Sequence, residues 1–353
     1  MIPRTLYRHL RSKDEVARAV LARPCADSKR CSPNRSVTMG SARLLDAEGE
    51  VRMALPGDAV IIEVGLNEGA GRGVNRHVPI AAEEVAADAL RCGDAGASIV
   101  HWHARDPVSG DQRLGDVDLY AAALGPIRAG GLLGYPSYPL DEVAPSHRLD
   151  HVWALHERSG LELAPIDLGS VSTVPWNPRL NDFAGLEWLR TQTGVIDNPL
   201  TFVVDAVEMA SARAMVCTFG AFDVGCSRLL GMLHESRRLH RPVLHKIFLS
   251  ESWAVGPRPS EAALDLHLAQ LPGDLDVEWI VVPYSHHDPA VIERLCRAAL
   301  ERGGHVRIGV GDSPAANPET TNAELVGAVV AWARDAGRPV ASPSQVRARL
   351  RIA

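Results

Sequence analysis

From Ala59 to the C-terminus, short apolar runs alternate with longer stretches whose apolar residues recur at helical spacing. That period constrains the fold more than any other feature of the chain. The apolar runs predict strands at Val60–Asn67, Ser98–Arg105, Leu132–Ser137, Leu161–Leu168, Leu200–Glu208, Val243–Ser250, Val277–Ser285 and His305–Asp312. Between them, Ala82–Leu90 and Ala290–Cys296 carry one-sided apolar stripes, and Gly96, Gly194, Gly303 and Gly304 stand where helices should stop. Eight strand–helix units in roughly 290 residues fit an α/β fold of the (β/α)8 TIM-barrel type. A doubly wound open sheet is the competing architecture. It normally carries a glycine-rich phosphate loop after an early strand, and Gly69-Ala70-Gly71-Arg72-Gly73 is only a loose version of one.

The chain therefore divides into an N-terminal extension, residues 1–55, and a barrel, residues 56–353. The segment Cys25–Val51 is rich in Ser, Arg, Pro and Asp and reads as a poorly ordered linker. Ahead of it, Thr5-Leu6-Tyr7-Arg8-His9-Leu10-Arg11-Ser12-Lys13-Asp14-Glu15-Val16 resembles the end of the DNA-reading helix of tetracycline-repressor-type regulators. The earlier helices of that motif are absent, and a reading helix without them cannot be held in a groove. The piece reads as a remnant, and a formal net charge of −6 gives no support for a nucleic-acid or membrane surface. No apolar run approaches the roughly 18 residues that a membrane span needs. The six cysteines form no CxxC pair, which points to reduced thiols in a cytoplasmic protein.

The second predicted strand ends in Val100-His101-Trp102-His103-Ala104-Arg105-Asp106. Residues i and i+2 of a strand share a side, so His101 and His103 face together, able to share one metal ion, and Trp102 faces away. Other polar residues stand at the predicted strand ends: Asn67-Glu68, Ser137, Asp167, Glu208, Tyr284 to Asp288, and Arg307 with Asp312. In a barrel these share the C-terminal rim, where catalytic groups collect. Arg307 and Asp312 lie five apart across a strand end, close enough to pair. An arginine beside Asp312 would depress its pKa and keep it ionised as a base.

Together, Pro79-Ile80 through Glu83-Glu84, Ala95-Gly96-Ala97, Val100 to Asp106, Gly303-Gly304-His305-Val306-Arg307-Ile308-Gly309 and Gly337-Arg338-Pro339-Val340-Ala341-Ser342-Pro343 resemble the β-keto acid cleavage enzymes, whose founding activity is the 3-keto-5-aminohexanoate cleavage enzyme. The resemblance runs from about residue 58 to the end. It implies a (β/α)8 barrel, usually tetrameric, holding a divalent metal, typically Zn2+. It also implies acyl transfer between a β-keto acid and acetyl-CoA, giving acetoacetate and a new acyl-CoA. By position, His101 and His103 resemble the metal-binding histidines, Arg307 and Asp312 the Arg–Asp dyad whose carboxylate is the base, and Glu68 the glutamate near the substrate. Ser137 and Asp167 stand where the family places substrate-contacting residues, and Tyr135, Tyr138, Trp176 and Asp167 suit an uncharged or cationic side group.

One position departs from the pattern. The family usually has a metal-binding glutamate immediately before the base aspartate, and here that residue is Gly311. Catalytic zinc normally keeps three protein ligands, so another side chain must supply the third: the Ser285-His286-His287-Asp288 loop, Glu68 or Glu208. Two other functions compete. A metal-dependent barrel hydrolase or lyase also uses HxH, but usually with a strand-end lysine, and of the three lysines (Lys13, Lys29 and Lys246) only Lys246 lies on a predicted strand, at its middle. The departure at Gly311 motivates the other, an altered member that binds a metabolite through Arg307.

Overall fold

The computed structural model describes residues 55–140, 143–183 and 195–353. Residues 1–54 of the expected extension, with the repressor-like piece, Cys25 and Cys31, lie outside them.

Eight parallel strands form the barrel wall: β1 Ile62–Gly65, β2 Ile99–Trp102, β3 Leu133–Pro136, β4 Leu163–Asp167, β5 Val216–Ala221, β6 Val243–Ser250, β7 Val277–Tyr284 and β8 His305–Ile308. A helix follows each in turn: α1 Ala82–Ala95, α2 Val117–Ala129, α3 Asp150–Ser159, α4 Leu200–Ala212, α5 Val224–Glu235, α6 Glu261–Leu268, α7 Pro289–Glu301 and α8 Asn322–Asp335. A ninth, α9 Pro343–Arg349, follows α8. The helices start where the sequence offers caps. Asp288 accepts from the Ala290 N–H ahead of α7, with Pro289 in the first turn, and Thr321 and Glu324 form a capping box at α8. Covered on both faces, the strands are almost continuously buried, as parallel sheets are.

The ladder order is β3-β2-β1-β8-β7-β6-β5-β4. The ends of the described chain thus pair at the centre of the sheet, with Glu63 of β1 opposite Arg307 of β8, while β3 and β4 meet at a seam with no ladder among the described residues. Tyr138, just past β3, closes that seam. Its hydroxyl donates to the Asp167 carboxylate at 2.8 Å and accepts the Asp167 backbone N–H at 3.0 Å.

The fold corrects one expected strand. Leu200–Glu208 lies in helix α4, and the fifth strand is Val216–Ala221. The aromatic and β-branched Phe202-Val203-Val204 run suggests a strand, yet the buried residues Phe202, Val203, Ala206, Val207 and Ala210 recur at helical spacing. Glu208 accordingly lies on the outside of the molecule, 2.6 Å from Arg238. Between β4 and α4 the chain makes an excursion of two short antiparallel pairs, Val171–Ser172 with Val195–Ile196 and Trp176–Asn177 with Asp182–Phe183. It docks on the loop after β6, where the Trp176 N–H donates to the Ser252 carbonyl at 2.8 Å. No helix among the described residues is long and apolar enough to cross a membrane. Cys92, Cys217, Cys226 and Cys296 are buried and free.

Candidate active site

The pleat of β2 turns His101 and His103 towards one side, while Trp102 packs against the Tyr120 ring at 5.7 Å. The loop after β1 bends back to meet the histidines through Glu68, whose φ of 40° is a strained conformation for a residue with a side chain. Asn67 pins that bend: its amide donates to the carbonyls of Pro79 and His103 at 3.1 and 3.0 Å and accepts the His103 N–H at 2.8 Å. Glu68 Oε1 then lies 3.1 Å from His101 Nε2, and Oε2 lies 2.8 Å from His103 Nε2.

The remaining ring nitrogens also face oxygens. His101 Nδ1 is 3.2 Å from the Tyr135 carbonyl, and His103 Nδ1 is 2.5 Å from Gln112 Oε1. Burial pushes the His101 pKa down to about 3, so near pH 7 its ring carries one proton. Both of its nitrogens nevertheless meet acceptors, which leaves one contact without a hydrogen. A cation held by His101, His103 and Glu68 would remove the conflict, because each Nδ1–H could then donate to its outward oxygen without competition at Nε2. Glu68, His101 and His103 place their ligand atoms within 4.8 Å of one another. Two imidazoles and one carboxylate with room for further ligands match a catalytic zinc site, and a non-haem iron site by the same donors. The residues fit a divalent metal.

Arg307 ties this triad to Asp312. It is fully buried on β8; its Nε lies 3.2 Å from both Asp312 oxygens and its Nη2 2.7 Å from Oδ1. The same Nη2 donates to Glu68, while Nη1 reaches Glu63 and the Tyr135 hydroxyl, each at 3.2 Å. Tyr135 in turn donates to Glu63 and accepts from Lys246 Nζ at 2.8 Å. Burial acts to raise the Glu68 pKa, but its interactions with His103, Arg307 and His101 outweigh it and hold the carboxyl well below its usual range. At Asp312 the balance is reversed. Burial wins over Arg307 and raises the carboxyl to about 6, where pairing with arginine alone had predicted a depressed value. Among the described residues, the carboxylates Glu63, Glu68, Asp167 and Asp312 are met by the guanidinium groups of Arg307 and Arg105 and the ammonium of Lys246, and a divalent ion would offset the remaining negative charge.

Among the candidates for the third ligand, only Glu68 joins the histidines. The His286 side chain is turned away, its Nε2 bonded to the Leu249 carbonyl at 2.9 Å, and His287 pairs with Glu251 at 3.0 Å. Glu208 is on α4, outside the barrel wall. At Gly311 a Cβ would stand 2.8 Å from backbone atoms of Asn67 and Glu68, so the glycine lets the Glu68 loop lie directly against the end of β8. Asp167 ends β4, half-buried, with its pKa raised by burial against the pull of Lys246. Ser137 follows β3 and stands half-buried, its carbonyl accepting from His151 Nε2 at 2.8 Å. Tyr135 is not a rim residue but an interior one, and Trp176 lines a cavity beside the site. Glu63 and Lys246 are interior partners of this network that the strand-end pattern does not reach, although a charge inside Val60-Ile61-Ile62-Glu63-Val64 or Leu244-His245-Lys246-Ile247 is itself a signal, since unpaired charges are not buried.

A profile of the beta-keto acid cleavage enzymes matches residues 59–352. The chain belongs to this family. It is similar to the 3-dehydrocarnitine:acetyl-CoA trimethylamine transferase of Rhizobium meliloti (strain 1021), 25% identical over 312 residues, covering 80% of this chain and 94% of that protein. It is also similar to the 3-keto-5-aminohexanoate cleavage enzyme of Acetoanaerobium sticklandii, 24% identical over 291 residues, covering 79% and 92%. Among solved structures, apo ObcA shares the fold at a TM-score of 0.60 and 15% identity, over 78% of this chain and 65% of that one. The ternary complex of ObcA with a C4-CoA adduct and oxalate matches at 0.59 and 16%, over 78% and 67%. Family membership and these neighbours agree with the barrel seen here.

Proposed function

We propose that the protein transfers an acyl unit from a β-keto acid to the CoA of acetyl-CoA in a metal-dependent reaction. In this reaction R–CO–CH2–COO− and CH3–CO–S–CoA give CH3–CO–CH2–COO− and R–CO–S–CoA, so atoms and charge balance and acetoacetate is the common product. The observation that carries the reading is the continuous buried set His101–Glu68–Arg307–Asp312, which joins a metal-fit triad to a carboxylate base. The two curated relatives support the same substrate classes.

His101, His103 and Glu68 hold the metal, with zinc the ion their donors suit best. When bound, that ion supplies Lewis-acid stabilisation to the keto and carboxylate oxygens of the substrate. Asp312, with its pKa raised to about 6, is ionised at neutral pH yet basic enough to take a proton from the carbon between the two carbonyls. Arg307 fixes the Asp312 oxygens from one side and keeps Glu68 anionic from the other. Glu68 also lies beside the substrate, and Ser137 and Asp167 line its side-group end. The Asp167 carboxylate suits an uncharged or cationic group and disfavours an anionic one.

The test is Asp312→Asn, assayed for acetoacetate release from a panel of β-keto acids with acetyl-CoA. Loss of the base should cost ~10²–10⁴ in kcat, with circular dichroism and metal content unchanged. Near-wild-type turnover would overturn the assignment.

A further inference from the structure

A cavity of about 650 Å³ opens beside the site, between the β4–α4 excursion, the loop after β6 and the start of α7. A volume of this order is typical of small-molecule sites. Its inner wall touches the catalytic rim. Ser250 is the last residue of β6, and the N–H of His286 donates to Ser313 Oγ at 3.1 Å, one residue beyond Asp312. A train of rings leads outward from the dyad: the Arg307 guanidinium lies 5.7 Å from the Phe248 ring, Phe248 lies 5.6 Å from Tyr284, and Tyr284 lies 5.3 Å from Trp253.

The outer wall has a different character. Arg258 and Arg294 line the cavity, both exposed and neither with a carboxylate partner among the described residues. Glu251 in the same wall is already engaged by the His287 N–H at 2.7 Å, by His287 Nδ1 at 3.0 Å, and by His286 Nδ1 at 3.6 Å. Trp176 and Trp253 add two large, half-buried aromatic faces, held by the bridge between Pro175 and Trp253. The cavity therefore combines guanidinium groups that have no carboxylate partner among the described residues, and aromatic faces, at one end with an approach to the base at the other. Guanidinium is the side-chain group best matched to phosphate, and purine rings stack on indole.

We infer that this cavity holds the nucleotide end of the thioester carrier, with Arg258 and Arg294 on its phosphates, Trp253 and Trp176 against its adenine, and the thioester arm passing Ser250 towards Asp312. The inference rests on the proposed reaction for the identity of the carrier. It adds the residues that select a CoA thioester over a shorter one.

The experiment compares acetyl-CoA with acetyl-pantetheine, which keeps the thioester and lacks the phosphates and adenine, in wild type and in Arg258→Ala/Arg294→Ala. The double variant should raise KM for acetyl-CoA by roughly tenfold or more, with kcat nearly unchanged and KM for acetyl-pantetheine unmoved. An unchanged KM for acetyl-CoA, or an equal rise with both thioesters, overturns the site. Calorimetric titration of CoA alone separates this inference from the reaction. CoA binding by wild type that is weakened in the double variant upholds the site even if no β-keto acid yields acetoacetate, in which case the reaction alone is wrong. No CoA binding by wild type overturns the site.

Discussion

Gly311→Ala is the substitution for which the structure makes its sharpest demand. A Cβ at residue 311 would meet the backbone C and N of Asn67 and the N of Glu68, each at 2.8 Å. None of these is the end of a flexible side chain that can swing away. Ordinary carbon contacts begin near 3.5 Å, so the loop carrying Glu68 must retreat by roughly 0.7 Å. Overpacking against backbone of this kind costs about 1–3 kcal/mol, which urea denaturation of the metal-free protein measures directly. The same retreat carries Glu68 away from His101 Nε2 and His103 Nε2, and disturbances of this size around metal ligands typically cost ~10–100-fold in affinity. Competition with a zinc chelator reads that loss. Gly311→Glu should fare no better, although it restores the residue usual in the family, because its Cβ meets the same backbone. A Gly311→Glu variant that binds zinc as tightly as wild type, at equal stability, would refute the argument that Glu68 and Gly311 form one interlocked solution.

Three further predictions follow from the site and the barrel. Asp312 works as a base only when ionised, so with its pKa near 6 kcat/KM should rise about tenfold per pH unit below that value and level off above it; a flat profile between pH 5 and 7 would exclude Asp312 as the base. Purified protein should carry one divalent metal per chain by elemental mass spectrometry, and His101→Ala/His103→Ala should abolish it; full occupancy in that double variant would place the ion elsewhere. Tyr138→Phe removes both hydrogen bonds across the β3–β4 seam and strips the half-buried Asp167 of a donor, so urea denaturation should show a loss of about 1–3 kcal/mol, and a change below about 0.5 kcal/mol would mean that the seam is held by other contacts.

The barrel was legible because its strands are buried on both faces and its helices on one, so the two periods alternate visibly along the chain. The one misplaced strand, Leu200–Glu208, shows where composition misleads: β-branched residues there serve the buried stripe of α4, and the spacing decided the structure. The histidine pair was legible because His101 and His103 need only the two-residue repeat of a strand to face together. Glu68 as their partner was not legible in the same way, since it depends on a left-handed turn and on the bare backbone of Gly311, in the turn after β8 and over two hundred residues distant. The Arg307–Asp312 pairing is local and could be read from its spacing. The raised pKa of Asp312 could not, because the burial that causes it comes from neighbouring strands.

The pairing of β1 with β8 at the centre of the sheet also sets a schedule for building the site. Glu63 and Arg307 are separated by 244 positions in the chain, and at a synthesis rate of ~5–20 residues per second roughly 10–50 s pass between their appearances. During that interval the carboxylates of β1 and the loop after it lack their guanidinium, and β1 has no neighbour on one edge. The nascent protein therefore carries a charged, half-edged sheet until its eighth strand emerges. A ribosome stalled just before β8 should hold a chain that is protease-sensitive and bound by chaperones, and release of the last fifty residues should close barrel and active site in a single step.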